Sequence, residues 1–214
     1  MATERLLLGG APEGFDAELI RREVAKRGVP VIHVARDDKR LEAMRSALAF
    51  FAPDLVTITM PGWDCLPYDR VSPNPEIVAR RMATLAGLAQ GVPGPFVLLT
   101  TLSAASQRVP TRETVSASSF VAEVGRRVNE KGLRAYLARM GYSPSSTVTE
   151  PGDFAVRGGI IDIFPPGDDE PVRLDLFGDV LDGLRHFDPA SQRTTGKLDR
   201  LELAPASEVI LDEA

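Results

Sequence analysis

The sequence predicts an α/β protein in two parts: a parallel sheet covered by helices over residues 1–115, then a small α+β domain built on an antiparallel meander over residues 116–206. Three observations carry this reading. In the first part, short β-branched or leucine-rich runs alternate with stretches of helical periodicity, which is the rhythm of strands joined by crossover helices. Past Ser116 the rhythm becomes strand, turn, strand, with Gly, Pro and Asp clusters at short intervals. The charge changes at the same place: residues 1–115 carry 14 basic and 13 acidic side chains, whereas residues 116–214 carry 11 and 17.

Arg5–Leu8 reads as the opening strand and Phe15–Arg27 as the first helix. In that helix Phe15, Leu19, Ile20 and Val24 recur at helical spacing, and Gly28 sits where a left-handed cap belongs. A strand follows over Val29–Ala35. The second helix, Asp38–Phe51, opens on Asp37 and Asp38, whose charge suits the positive end of a helix, and stops before Pro53. Leu55–Met60, Glu76–Ala89 and Phe96–Thr100 continue as strand, helix and strand. In the second part, Asn129–Met140 is an amphipathic helix with Leu133, Leu137 and Met140 on one face and Gly141 at its end. Phe154–Arg157, Gly159–Phe164, Val172–Phe177, Val180–Phe187 and Arg200–Leu203 then read as strands. Gly178-Asp179 marks a hairpin, because Gly takes positive φ without steric cost. Residues 207–214 read as a connection toward a continuation.

With 214 residues, 43% of them hydrophobic, the chain can bury a real core and is not a disordered tail. A single cysteine, Cys65, rules out a disulfide scaffold and a zinc site made of cysteine clusters. The net charge of −5 leaves no basic excess to neutralise a phosphate backbone, so unaided tight DNA or RNA binding is not expected. Arg21, Arg22, Lys26, Arg27, Lys39 and Arg40 are interspersed with acids and read as solvated helix faces. The longest apolar stretches fall far short of the roughly 20 residues a bilayer helix needs. A cytoplasmic monomer is the expectation.

The segment from Leu6 to Asp16 lies where a nucleotide-binding protein places its phosphate loop, and Gly9 and Gly14 have the G-x-x-x-x-G spacing. A working loop also needs a Lys for the outer phosphates and a Ser or Thr for magnesium. Phe15 and Asp16 occupy those places, and Glu13 and Asp16 put negative charge beside any triphosphate. The segment therefore reads as a degenerate loop that caps the first strand of a Rossmann/RecA-like lobe and binds no cofactor. Other chemistry is thin. His33 lies mid-strand, His186 has no nucleophile motif near it, and Cys65 follows Asp64, the wrong neighbour for a reactive thiol. Asp168-Asp169-Glu170 lacks calcium-loop spacing and reads as a solvated hairpin tip. No catalytic residue and no metal site are expected.

A Pro-punctuated loop runs from Pro61 to Pro75 and includes Trp63 and Tyr68; Arg80-Arg81-Met82-Ala83-Thr84-Leu85 follows it. Three further motifs come later, in order: Gly152–Pro165 with Arg157-Gly158-Gly159, Arg173–Asp179, and Phe187–Thr194. Together they resemble the N-terminal UvrB-homology region of the bacterial transcription-repair coupling factors, the Mfd family, over essentially the whole chain. The resemblance implies a lobe similar to the first ATPase lobe of UvrB, into which a small domain that docks on UvrA is inserted. It implies contacts to UvrA at Arg157, Arg173 and Phe177, with Asp175 between the last two. ATP, magnesium, RNA polymerase and DNA belong, by the same resemblance, to domains of the family outside this span. The loop from Trp63 to Pro75 also departs from the Tyr-rich segment that leads into UvrB's DNA-clamping hairpin.

The residue pattern bears on such a surface by itself. Along Val172–Phe177 side chains alternate, so Val172, Leu174 and Leu176 face one way and Arg173, Asp175 and Phe177 the other. Arg beside an exposed aromatic is the composition of binding hot spots. Arg157 closes its strand where it can join that face. The competing expectations are that Phe177 packs into a local core, with the arginines paired to Asp175 or Asp179, or that the chain is a nucleotide-dependent, helicase-like ATPase fragment acting on DNA. A non-catalytic adaptor that brings UvrA to stalled RNA polymerase at DNA lesions is the reading carried forward.

Overall fold

The computed structural model describes residues 7, 9, 10, 12, 14–66 and 70–209. The expected opening strand, Arg5–Leu8, falls outside the described residues but for Leu7. In chain order the elements are α1 (Phe15–Arg27), β1 (Val31–Ala35), α2 (Asp38–Phe51), β2 (Val56–Met60), α3 (Pro75–Gln90), β3 (Phe96–Thr101), α4 (Leu102–Ser106), α5 (Arg112–Ala117) and β4 (Phe120–Glu123). They continue with α6 (Glu130–Arg139), β5 (Ser143–Pro144), β6 (Asp153–Arg157), β7 (Ile160–Ile163), β8 (Val172–Phe177), β9 (Val180–Phe187), β10 (Thr194–Leu198) and β11 (Arg200–Leu203).

Local chemistry sets the helix ends. The Asp37 carboxylate accepts the Arg40 N–H at 2.9 Å and starts α2. Asn74 and Asn129 cap α3 and α6 in the same manner. Gly28 closes α1 at φ 63°, its N–H returning to the Val24 carbonyl at 2.9 Å.

The chain folds into two compact units, one of residues 1–62 and 92–107, the other of residues 63–91 and 108–214. This division does not follow a single cut near Ser116. Helices α3 and α5 pack with the C-terminal unit, where Met82, Ala86 and Ala89 join Val115 in one apolar cluster. Arg112 secures that pair by donating twice to the Ala89 carbonyl, at 3.0 and 2.8 Å. Periodicity shows that a helix has an apolar face but not which partner covers it, and the change in charge near Ser116 marks composition rather than packing.

In the first unit β1, β3 and β2 form a parallel sheet in that order, with Val31 opposite Val97 and Val56 opposite Phe96. Ala17 and Val24 of α1 and Leu41, Met44 and Leu48 of α2 pack on Val97 and Leu99. Phe15, expected on the apolar face of α1, is instead exposed at the helix start, and Ile20 packs against the core beside Val24.

The second unit is built on a six-stranded sheet in the order β10-β9-β8-β7-β6-β5. Its neighbours are antiparallel from β10 to β6, and the two residues of β5 add in parallel to β6. Strand β11 pairs instead with β4, which precedes α6. One face of the six-stranded sheet, carrying Ile161, Ile163, Val172, Leu174 and Leu184, is buried with Leu133 and Leu137 of α6. The protein is thus a mixed α/β structure with one parallel sheet and, apart from the short β5–β6 pair, antiparallel pairing elsewhere among the described residues. The sequence reading lacks α4, α5, β4, β5 and β10. Thr194–Leu198 contains Thr-Thr-Gly-Lys with no apolar alternation, and β4 is defined by a partner about 80 residues away.

Tyr136 pins α6 to this unit, its buried hydroxyl donating to the Ser118 and Leu203 carbonyls at 2.9 and 3.0 Å. Burial pushes its ionisation well above the ordinary phenol range. Replacing it, Tyr136→Phe, leaves both carbonyls without this donor and is expected to cost about 1–3 kcal/mol. Urea unfolding followed by circular dichroism measures the loss, and a variant as stable as the parent contradicts this role.

Candidate docking surface

Alternation along β8 sends Val172 and Leu174 into the core and Arg173, Asp175 and Phe177 to the opposite, outer face of the sheet. Register assigns that face on the neighbouring strands as well. Asp162 of β7 lies opposite Arg173, Ile160 opposite Asp175 and opposite Arg157 of β6, and Val180 of β9 opposite Phe177.

The outer face has three zones along the strands. At one end Val148, Ala155, Phe164 and Phe187 make a small buried cluster. In the middle lies an ion-pair array. At the other end the Phe177 side chain projects at the hairpin tip, 84% exposed, with Ile160 also exposed.

Asp162 is the centre of the array. It is fully buried, and its carboxylate accepts from Arg173 Nε at 2.7 Å, Arg173 Nη2 at 2.9 Å and Arg157 Nη2 at 2.5 Å. Arg173 presents the forked geometry in which two parallel donors meet one carboxylate. That hydrogen-bonded carboxylate raises the Arg173 pKa above its ordinary value, so its charge is permanent. Its guanidinium carbon also lies 4.6 Å from the centroid of the Phe187 ring, a cation–π contact that fixes the plane of the fork. Beside it, Arg185 Nη2 donates to Asp175 Oδ2. One anion thus holds two cations at the edge of solvent, with the Arg157 side chain 53% and that of Arg173 20% exposed.

Two glycines shape the tip. At Gly159 a Cβ would meet the Leu176 carbonyl oxygen at 2.7 Å, because the Leu176 N–H bonds to the Gly159 carbonyl at the same distance. Gly178 turns the β8–β9 hairpin at φ 65°, as the Gly178-Asp179 signal predicts. The close approach at Gly159 and the turn at Gly178 both lie next to the point where Phe177 leaves the sheet.

The structure therefore brings Arg157, Arg173, Asp175 and Phe177 onto one face. The arginines pair neither with each other's neighbours in sequence nor with Asp179, which lies 3.4 Å from Arg127. Their partner, Asp162, was not singled out from the sequence. An acid between Ile161 and Ile163, in a strand whose opposite face is core, was the signal that could have found it.

A second array was also missed. Glu208, inside the segment read as a connection, accepts from Arg81 Nε at 2.5 Å and from Trp63 Nε1 at 2.9 Å. The Arg81 side chain is fully buried and that of Glu208 is 8% exposed. The Arg81 guanidinium also lies 5.5 Å from the Trp63 ring centre. These contacts tie the loop after Gly62 and helix α3 to residues 207–209 within the second unit.

The remaining candidates supply no side chain to these arrays. Gly14, at φ 84°, precedes α1 without a side-chain cap, and the Asp16 carboxylate accepts the Ala17 N–H at 3.1 Å. Gly9 is described and exposed, whereas Glu13 lies outside the described residues. His33 is half-buried in β1, where burial depresses its pKa against the opposing pull of Asp16. The Nδ1 atom of His186 is buried without a hydrogen-bond partner among the described residues. Burial raises the Asp168 pKa, while Glu170 accepts the Thr195 hydroxyl at 2.9 Å. Among the described residues no cluster of His, Cys, Asp and Glu is placed to hold a metal ion, and no helix is long and apolar enough to cross a membrane.

Comparison with known proteins places these features in a family context. Residues 120–209 match the family model described as the UvrB interaction domain. The chain is 33% identical over its whole length to the transcription-repair-coupling factor of Escherichia coli (strain K12) and covers 18% of that protein. It is 36% identical over 86% of its length to the transcription-repair-coupling factor of Myxococcus xanthus, covering 16% of it. With the corresponding protein of Bacillus subtilis (strain 168) the identity is 27% over 97% of the chain and 17% of the relative. The chain therefore spans 16–18% of the length of these relatives.

Two substitutions test the arrays. Asp162→Ala removes three charge-assisted hydrogen bonds from partly exposed arginines that can rehydrate, and is expected to cost about 1.5–3 kcal/mol in urea unfolding. A neutral result contradicts the role of Asp162. Glu208→Ala removes the carboxylate that faces a fully buried guanidinium, with an expected cost of about 3–5 kcal/mol. The lone Trp63 reports on it directly, and an unshifted emission maximum in the folded variant contradicts the contact.

Proposed function

We propose that this chain, which belongs to the transcription-repair-coupling-factor family and carries a UvrB interaction domain at residues 120–209, is a non-catalytic docking module for the repair protein UvrA. The observation that carries the reading is the outer face of the six-stranded sheet. Phe177 stands in solvent there at a glycine-shaped tip, next to two arginines immobilised on a buried carboxylate.

Such an arrangement suits binding. A phenyl ring exposed in the free protein gains free energy when a partner covers it, and ordered arginines lose little conformational freedom on contact. Arg157, Arg173 and Phe177 act as the contact residues, and Asp175 sets the position of Arg185 between them. The parallel-sheet unit serves as a scaffold of Rossmann/RecA-like type with a degenerate phosphate loop. Phe15 and Asp16 in place of Lys and Ser or Thr support a unit that binds neither ATP nor magnesium. In the longer relatives the remaining length supplies the ATP-dependent action on DNA and the contact with RNA polymerase. The role of this span is to bring UvrA to polymerase stalled at a lesion, in the cytoplasm.

Binding of purified UvrA tests the reading. Arg173→Ala and Phe177→Ala are each expected to weaken it by about 1–3 kcal/mol, the usual size of a hot-spot truncation. Phe177→Ala should leave stability within about 0.5 kcal/mol of the parent, since it alters an exposed surface position. Full binding by a folded double variant overturns the docking surface. Titration with a fluorescent ATP analogue addresses the rival ATPase: no saturable micromolar binding is expected, and its appearance restores that reading.

A further inference from the structure

The cross-strand registers place Ala155, Asp162, Arg173, Arg185 and Lys197 side by side, one on each of five successive strands from β6 to β10. Directly opposed residues of antiparallel strands share a face, so the last three form a row of cations on the outer face. At strand spacings of about 4.8 Å, the row from Arg173 to Lys197 covers roughly 10 Å at the backbone. Resting on the docking reading above, we propose that the partner-binding surface extends along this row to Lys197, and that the partner meets it with a protein surface bearing carboxylates.

The charge balance of the face supports this. Asp162 is taken up by Arg157 and Arg173, and Asp175 by Arg185. Lys197 is exposed, and no carboxylate of the described residues is placed to pair with it. Along this row and the neighbouring cross-strand row of Arg157 and Asp175, four cations therefore face two carboxylates. The surplus sits in the half of the chain with 11 basic and 17 acidic residues, so it runs against the local composition. Gly183 lies against the Asp175–Arg185 pair: a Cβ there would make ordinary van der Waals contact, 3.5 Å from Asp175 Oδ2 and 3.9 Å from Arg185 Nη2. Phe177 lies four residues along β8 from Arg173, about 13 Å at the backbone, so a single partner can cover both.

A carboxylate-bearing protein fits better than a nucleic acid. The flanking acids of this half repel a polyanion, and a single exposed phenyl ring, with Phe164 and Phe187 of the same face buried, is a poor platform for stacking successive bases. The alternative role for Lys197 is that of a charged guard on the edge strand β10, which prevents strand pairing between molecules.

Titration of the 214-residue chain with purified UvrA at low and moderate salt separates these roles. Lys197→Glu is expected to weaken binding by about 5- to 20-fold and to flatten its salt dependence, because it juxtaposes like charges at a contact. Lys197→Arg should stay within about 2-fold of the parent, since the charge is kept. Lys197→Gln, with an intermediate loss, serves if the reversal disturbs folding. If Lys197→Glu and Lys197→Gln bind like the parent while Arg173→Ala is weakened, the row stops at Arg173: the docking reading stands and this extension falls. If Arg173→Ala is unchanged too, the docking reading itself has failed. Binding of a DNA duplex that is lost in Lys197→Glu, with UvrA binding unaffected, also overturns the proposal.

Discussion

The surface of this protein depends on one carboxylate. Asp162 is fully buried in the middle of a six-stranded sheet, yet it points away from the apolar core toward two arginines that lead to solvent. An isolated anion there would be very costly, and the cost is offset by three short hydrogen bonds from Arg157 and Arg173. A hydrophobic set in place of the whole Arg157–Asp162–Arg173 group would pack the sheet as well or better. What it could not do is fix two guanidinium groups at a set spacing beside an exposed phenyl ring. The array makes sense as a device for presenting charge in a fixed geometry, with stability a secondary gain.

The rest of the second unit supports that presentation. One face of the sheet is sealed by α6, whose Tyr136 hydroxyl is spent on two carbonyls. The cluster of Val148, Ala155, Phe164 and Phe187 closes part of the other face and gives Arg173 an aromatic surface to lie on. Gly158 and Gly178 turn the two hairpins at positive φ, and Gly159 lets the β6–β7 turn approach the Leu176 carbonyl of β8. Glu208 draws residues 207–209 onto Arg81 and Trp63, so the second unit is tied down at its far sequence end. Rigid strands, rather than mobile loops, hold every proposed contact residue. That limits the ordering cost of binding.

Much of this was legible in the residues, for physical reasons that differ from place to place. Period-2 alternation in Val172–Phe177 fixed the two faces of β8, because a strand has no other way to arrange its side chains. Asp37, Gly28 and Gly178 announced their caps and turn through chemistry that acts within a few residues. Long-range choices were not legible. Asp162 meets Arg173 through strand register, and Glu208 reaches Arg81 across 127 positions. Helix α3 follows a strand of the parallel sheet in sequence yet packs with the other unit, which depends on tertiary partners that periodicity does not encode. Strand β10 lacked the apolar alternation by which strands are recognised, so Lys197 did not appear beside Arg185 until register placed it there.

The central claim, that the outer face of the sheet around Phe177 is where UvrA sits, is tested most directly by site-specific photo-crosslinking. A photoreactive phenylalanine analogue at position 177 reports on this face. The same analogue at position 50, where a phenylalanine is 80% exposed on α2 of the first unit, is a matched control. Irradiation with purified UvrA should give a crosslinked product from position 177 and none from position 50. Crosslinking from position 50 with none from position 177 would contradict the account.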